Sequence, residues 1–183
     1  TDPAATLIAH VEEVTPELEA LAGGTGSARG SGGMSSKVRA AKIASWSGVR
    51  AVIAGSRGER ALLDAVDGAE GCGTTVSAHD RRLSARKLWI AFAGDAVGSV
   101  TVDAGAERAL RERGVSLLPA GVVAVGGSFE GGDLVEIVGP SGHAFARGMA
   151  RLDAGTVDGA KGQRSDATDG EVVVHRDDLV LLP

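Results

Sequence analysis

The chain has 183 residues, 43% hydrophobic and 23% charged, an ordinary globular composition that suffices for one domain or two small ones. Its single cysteine, Cys72, excludes an internal disulfide framework, and no apolar run is long enough to span a bilayer. Charge is uneven: residues 1–96 carry eleven basic and eleven acidic side chains, whereas residues 97–183 carry eight basic against thirteen acidic, net −5.

That acidity disfavours nonspecific nucleic-acid binding by the second half, because displacing counterions from phosphates needs a basic face. Aromatic content agrees. There is no tyrosine, and only Phe129 and Phe145 fall in that half, too few for a base-stacking platform. The N-terminus lacks the basic start and apolar core of a signal peptide, so a cytoplasmic chain is expected.

In chain order, Thr15-Pro16-Glu17 reads as a helix start. Residues 23 to 33 are over half glycine and read as a loop. Ser35 or Ser36 is expected to cap a helix that runs to about Ser47, with Val38, Ala41, Ala44 and Ser45 on one side and Gly48 as the stop. Val49 to Ala54 form a short apolar run, the pattern of a strand buried on both faces, and a second helix follows to Val66. Two further strands are expected at Thr74 to Ser77 and Leu88 to Phe92, which leaves the sheet of the first half short of strands. Arg81 to Lys87 between them is a basic cluster, either a solvated loop or a contact for an anion or acidic partner.

The pattern changes near Asp95. Val97 to Val102 alternate as a strand and Ala104 to Arg113 read as a helix ended by Gly114. Short strands follow at Gly121 to Val125, Leu134 to Val138, Ala144 to Leu152 and Val172 to Leu182, separated by glycine turns, while Thr156 to Gly170 read as an exposed loop. The second half is expected to be a small mixed-strand barrel or sandwich with one helix.

The stretch with the most chemical content is Gly30 to Lys37. Adjacent glycines, two hydroxyls and a lysine immediately before a helix bring free backbone N–H groups, a helix N-terminus and a cation to one place, as a phosphate requires. The spacing is neither that of the P-loop nor that of the dinucleotide fingerprint, and a flexible linker before an ordinary helix is the plainer alternative. His10, His79, His143 and His175 fit no standard metal spacing, and His175 to Asp178 read as a charged turn. Trp46, Trp89 and Phe92 read as core or interface anchors.

With those residues in view the sequence resembles glutamate 5-kinase, specifically its C-terminal portion. The resemblance runs in order through Gly32-Gly33-Met34-Ser35-Ser36-Lys37, Ala40-Ala41, Gly73-Thr74, Arg86-Lys87-Leu88-Trp89-Ile90, Val102-Asp103-Ala104-Gly105-Ala106, Ser116-Leu117-Leu118-Pro119-Ala120-Gly121, Phe129-Glu130-Gly131-Gly132-Asp133 and Val174-His175-Arg176-Asp177-Asp178. It implies an α/β class chain. Residues 1–95 would be the nucleotide-binding end of an amino-acid kinase α/β/α sandwich, and residues 96–183 a small mixed-β PUA pseudo-barrel. The family transfers the γ-phosphoryl of ATP, with Mg2+, to the side-chain carboxylate of L-glutamate as the first step of proline biosynthesis.

Carried over residue by residue, the resemblance gives Ser31, Gly32, Gly33, Met34, Ser35, Ser36 and Lys37 to the ATP site, with Lys37 near the phosphates. It assigns no catalytic or metal-binding residue. The family's glutamate-binding residues have no counterpart in the sequence, so the chain is expected to be a fragment and inactive alone. A homo-oligomer and a proline feedback ligand are further expectations. An RNA-binding PUA module without kinase activity is the alternative, and no membrane partner is expected.

Overall fold

The computed structural model describes residues 5–23, 33–56, 58–80, 82–92, 94–163 and 171–182. It divides into two compact units, Thr1–Ser84 and Ala85–Pro183. The chain was expected to divide near Asp95.

In the first unit, strand β1 (His10–Val11) precedes helices α1 (Pro16–Ala22) and α2 (Met34–Trp46); strand β2 (Ala51–Ala54), helix α3 (Ala61–Asp67) and strand β3 (Gly73–Val76) follow. The expected start of α1 holds: Thr15 is its N-cap, its hydroxyl accepting from the Leu18 N–H, and Pro16 opens the helix where a missing N–H costs nothing. The strands form a sheet in the order β1-β3-β2, parallel between β1 and β3 and antiparallel between β3 and β2. The reading of β2 as buried on both faces is therefore corrected. It is an edge strand whose residues are half-buried or exposed, because β3 is its only partner among the described residues.

Apolar burial in this unit is modest. Val11, Val14, Val38, Ala41 and Val76 make its core, while Leu62, Leu63 and Val66 of α3 and Leu7 and Ile8 ahead of β1 stay about half or more exposed.

The second unit begins with α4 (Ala85–Phe92), a helix where a strand was expected over Leu88 to Phe92. Period-2 and period-3.6 patterns are indistinguishable over five apolar residues, and packing decides: α4 buries Ile90 and Ala91 on the second unit's sheet. Then come β4 (Gly98–Val102), α5 (Ala104–Arg113), a short 3-10 turn (Pro119–Gly121), β5 (Val122–Gly127), β6 (Leu134–Val138), β7 (Ala144–Ala150), α6 (Ala154–Ala160) and β8 (Val174–Leu181). The sheet order is β5-β4-β6-β7-β8, antiparallel except for the parallel β4–β6 pair. Val100 and Val102 of β4 and Val135 and Ile137 of β6 are essentially inaccessible at its centre. Each such side chain contributes about 1.5–3 kcal/mol of burial.

Helix α6 corrects the expectation of a loop from Thr156 to Gly170; residues 164–170 lie outside those described. Its composition is poor for a helix, but the Asp153 carboxylate accepts from both the backbone N–H and the hydroxyl of Thr156 at 2.9 and 2.7 Å, and Val157 is fully buried. Those bonds, the Thr156 hydroxyl first, hold the Asp153 carboxyl below its ordinary value of 3.8. A lowered pKa means that the cap stabilises the fold above that value and is lost as pH falls through the folded one. Asp103 caps α5 in the same way, and both helices open Asp-Ala-Gly. A Cβ on Gly105 or Gly155 would crowd the capping oxygen at 3.2 Å.

Residues His175 to Asp178 are not a turn between strands but part of β8. The β7–β8 register passes from Ala150↔Val174 to Gly148↔Leu179, so β7 spends Met149 where β8 spends His175 to Asp178. Gly148 sits beside this bulge, and a Cβ there would lie 2.4 Å from Val174 Cγ1 and 3.0 Å from the Asp178 carbonyl oxygen. Gly148→Ala should cost about 1–3 kcal/mol in urea denaturation. Gly159→Ala, in α6 with open space around it, should stabilise by about 0.5–1 kcal/mol. A neutral Gly148→Ala would contradict the described register.

Candidate nucleotide site

Helix α2 starts at Met34, not at the hydroxyl residue expected to cap it. Gly33 is the N-cap and, among the described residues, no side-chain cap hydrogen bond is made. Ser36 turns its hydroxyl back onto the Gly33 carbonyl at 2.9 Å, so it closes the turn rather than capping the N–H groups. Among the described residues, the first-turn amides of this 13-residue helix have no side-chain acceptor, and the positive end of the helix dipole lies behind them.

Met34, Ser35, Ser36 and Lys37 are all exposed. Lys37 stands in the first turn, with no carboxylate partner among the described residues. It lines a cavity of about 390 Å3 whose other walls are Ala40, Ala41 and the four residues of β2. Small side chains on both elements leave that space open. Of the seven residues expected at the site, the structure therefore brings Gly33 through Lys37 to one helix end; Ser31 and Gly32 lie outside the described residues.

The site has the groups to hold phosphate oxygens: several N–H donors, the Ser35 hydroxyl and one ammonium. It does not have the groups to hold Mg2+. A hard cation needs oxygen ligands, usually carboxylates, and Gly33 to Lys37 include no carboxylate. Among the described residues no three His, Cys, Asp or Glu side chains gather into a metal-holding group.

The sequence reading missed what fixes α2 in place. Lys42 is 8% exposed and its ammonium lies 2.9 Å from the Glu19 carboxylate of α1. At the other end, Ser45 donates its hydroxyl to the Ser77 carbonyl and Trp46 stacks on His79 with ring centroids 4.4 Å apart. The position of Lys42 on the buried side, next to Val38 and Ala41, was the available signal. Glu19→Ala should lower the stability of the first unit by about 1–3 kcal/mol, because it strands a buried ammonium, while Lys42→Met should cost less. Equal losses in denaturant titrations would contradict a buried ion pair.

The PUA domain pattern matches residues 98–172. Glutamate 5-kinase of Deinococcus radiodurans is 49% identical over all of this chain and 52% of its own length. The enzymes of Moorella thermoacetica and Citrifermentans bemidjiense are 41% and 44% identical, again over the full chain and 50% of theirs. Among solved structures, a PUA domain from Aeropyrum pernix aligns with 44% of this chain and 41% of its own at 29% identity, but its TM-score of 0.36 carries no argument. The chain spans about half the length of the curated relatives it matches. It carries a PUA domain and is similar along its whole length to glutamate 5-kinase.

Proposed function

We propose that this chain is the nucleotide-binding portion and PUA domain of a glutamate 5-kinase, a longer polypeptide that transfers the γ-phosphoryl of ATP to the side-chain carboxylate of L-glutamate. The product is L-glutamate 5-phosphate, and the cytoplasm is the natural compartment. The observation that carries the proposal is the 49% identity over every part of the chain. The open N-terminus of α2 supports it, since phosphoryl transfer is catalysed mainly by positioned donors and positive charge.

In this reading the backbone N–H groups of Met34 to Ser36 donate to phosphate oxygens, and Lys37 offsets charge that builds on the transferring group. The cavity beside β2 takes an uncharged part of the nucleotide. Magnesium would arrive with the phosphates and take its protein ligands from elsewhere. In this reading the glutamate site belongs to the part of the longer polypeptide that this chain does not match. The exposed apolar side chains of the first unit agree with a kinase domain that needs further polypeptide to cover them.

A second reading, an RNA-binding module, draws on the PUA domain at residues 98–172. The net charge of −5 on residues 97–183 weighs against it. Salt-sensitive micromolar binding of structured RNA by the chain would favour the module.

Lys37→Ala in the full-length protein should lower kcat by about 100-fold or more without loss of fold. The 183-residue chain by itself should show no glutamate-dependent ADP release. Unchanged kcat and ATP affinity in the variant, or turnover by the isolated chain, would overturn the assignment.

A further inference from the structure

The second unit extends beyond its recognised domain at both ends. The PUA pattern covers residues 98–172, yet α4 (Ala85–Phe92) precedes it and β8 (Val174–Leu181) follows it. Those two flanks touch each other. Helix α4 packs on β8 and β7, and Arg86 in its first turn places Nε 2.7 Å from the Asp178 carboxylate. The same guanidinium donates through Nη2 to Met149 Sδ at 3.6 Å.

Both contacts fall at the irregularity in the β7–β8 ladder. Met149 is the β7 residue opposite the bulge, and Asp178 is the last bulge residue before pairing resumes at Leu179. Asp178 is the better buried partner, with its side chain 14% exposed against 60% for Arg86. Arg151 approaches the same carboxylate only to 3.7 Å. A bulge interrupts main-chain hydrogen bonds, so a strand that carries one near its start needs a fastening from outside the ladder.

We propose that Arg86 and Asp178 form a clasp that closes the two flanks of the PUA domain on each other. The bulge aims Asp178 out of the ladder, and α4 brings a guanidinium to meet it. While the clasp holds, α4 is part of the second unit and β8 keeps its irregular register. When it opens, both loosen together and the PUA core between them does not. The clasp is independent of the nucleotide reading, since none of its residues belongs to the first unit.

Hydrogen exchange on the full chain tests this. Arg86→Gln, at an exposed position that leaves the core untouched, and Asp178→Asn should each raise amide exchange in α4 and in residues 175–181 by about tenfold or more, with β4 to β6 unchanged. The double variant should exchange no faster than either single one, and Arg151→Ala should leave α4 protected. Exchange in α4 within twofold of the parent in both single variants, loosening of α4 without β8, or additive effects in the double variant would each overturn the clasp.

Discussion

Helix α2 lies on β2 and β3 through Val38, Ala41 and Ser45, and that contact governs what the first unit can do. Small residues let the helix approach closely, and Ser45 fastens it to the backbone beyond β3 at 2.7 Å. The Lys42–Glu19 pair fixes its roll against α1. With its flank and C-terminus held this way, the N-terminus of α2 opens beside a cavity, with no side-chain cap among the described residues. A helix free to shift could not hold donors in the geometry a phosphoryl group requires.

The two units rest on different physics. The second has a dense interior of valines, leucines and isoleucines on a five-stranded sheet, with capped helices and a fastened last strand. The first has, among its described residues, five buried apolar side chains under three short strands, and several large apolar residues face solvent. Burial of that size supports little stability alone. The relatives are about twice as long as this chain.

Much of this was legible in the residues. Thr15-Pro16-Glu17 announced α1, Gly114 ended α5 in the left-handed region at φ 58°, and β6 fell on the short strand read at Leu134 to Val138. Helix α4 was misread because five apolar residues carry no usable period, and α6 because glycine, threonine and aspartate conceal a helix that depends on one cap and one buried valine. The burial of β2 was overestimated, since a strand pattern cannot show how many neighbours the strand will find. The β8 bulge was not read from the sequence, where His175 to Asp178 looked like a charged turn. At the candidate site, glycines, hydroxyls and lysine pointed to a helix start, and α2 does start there, at Met34. They did not show that Gly33 would take the cap position from the serines or that Lys42 would be drawn inside.

The central claim is that the first turn of α2 receives the phosphates of ATP. Hydrogen exchange of the full-length protein with and without MgATP tests it most directly, peptide by peptide. The account predicts strong protection over residues 33–40, greater than anywhere in the PUA domain. Nucleotide-dependent protection confined to other segments, with residues 33–40 exchanging as they do in the free protein, would contradict it.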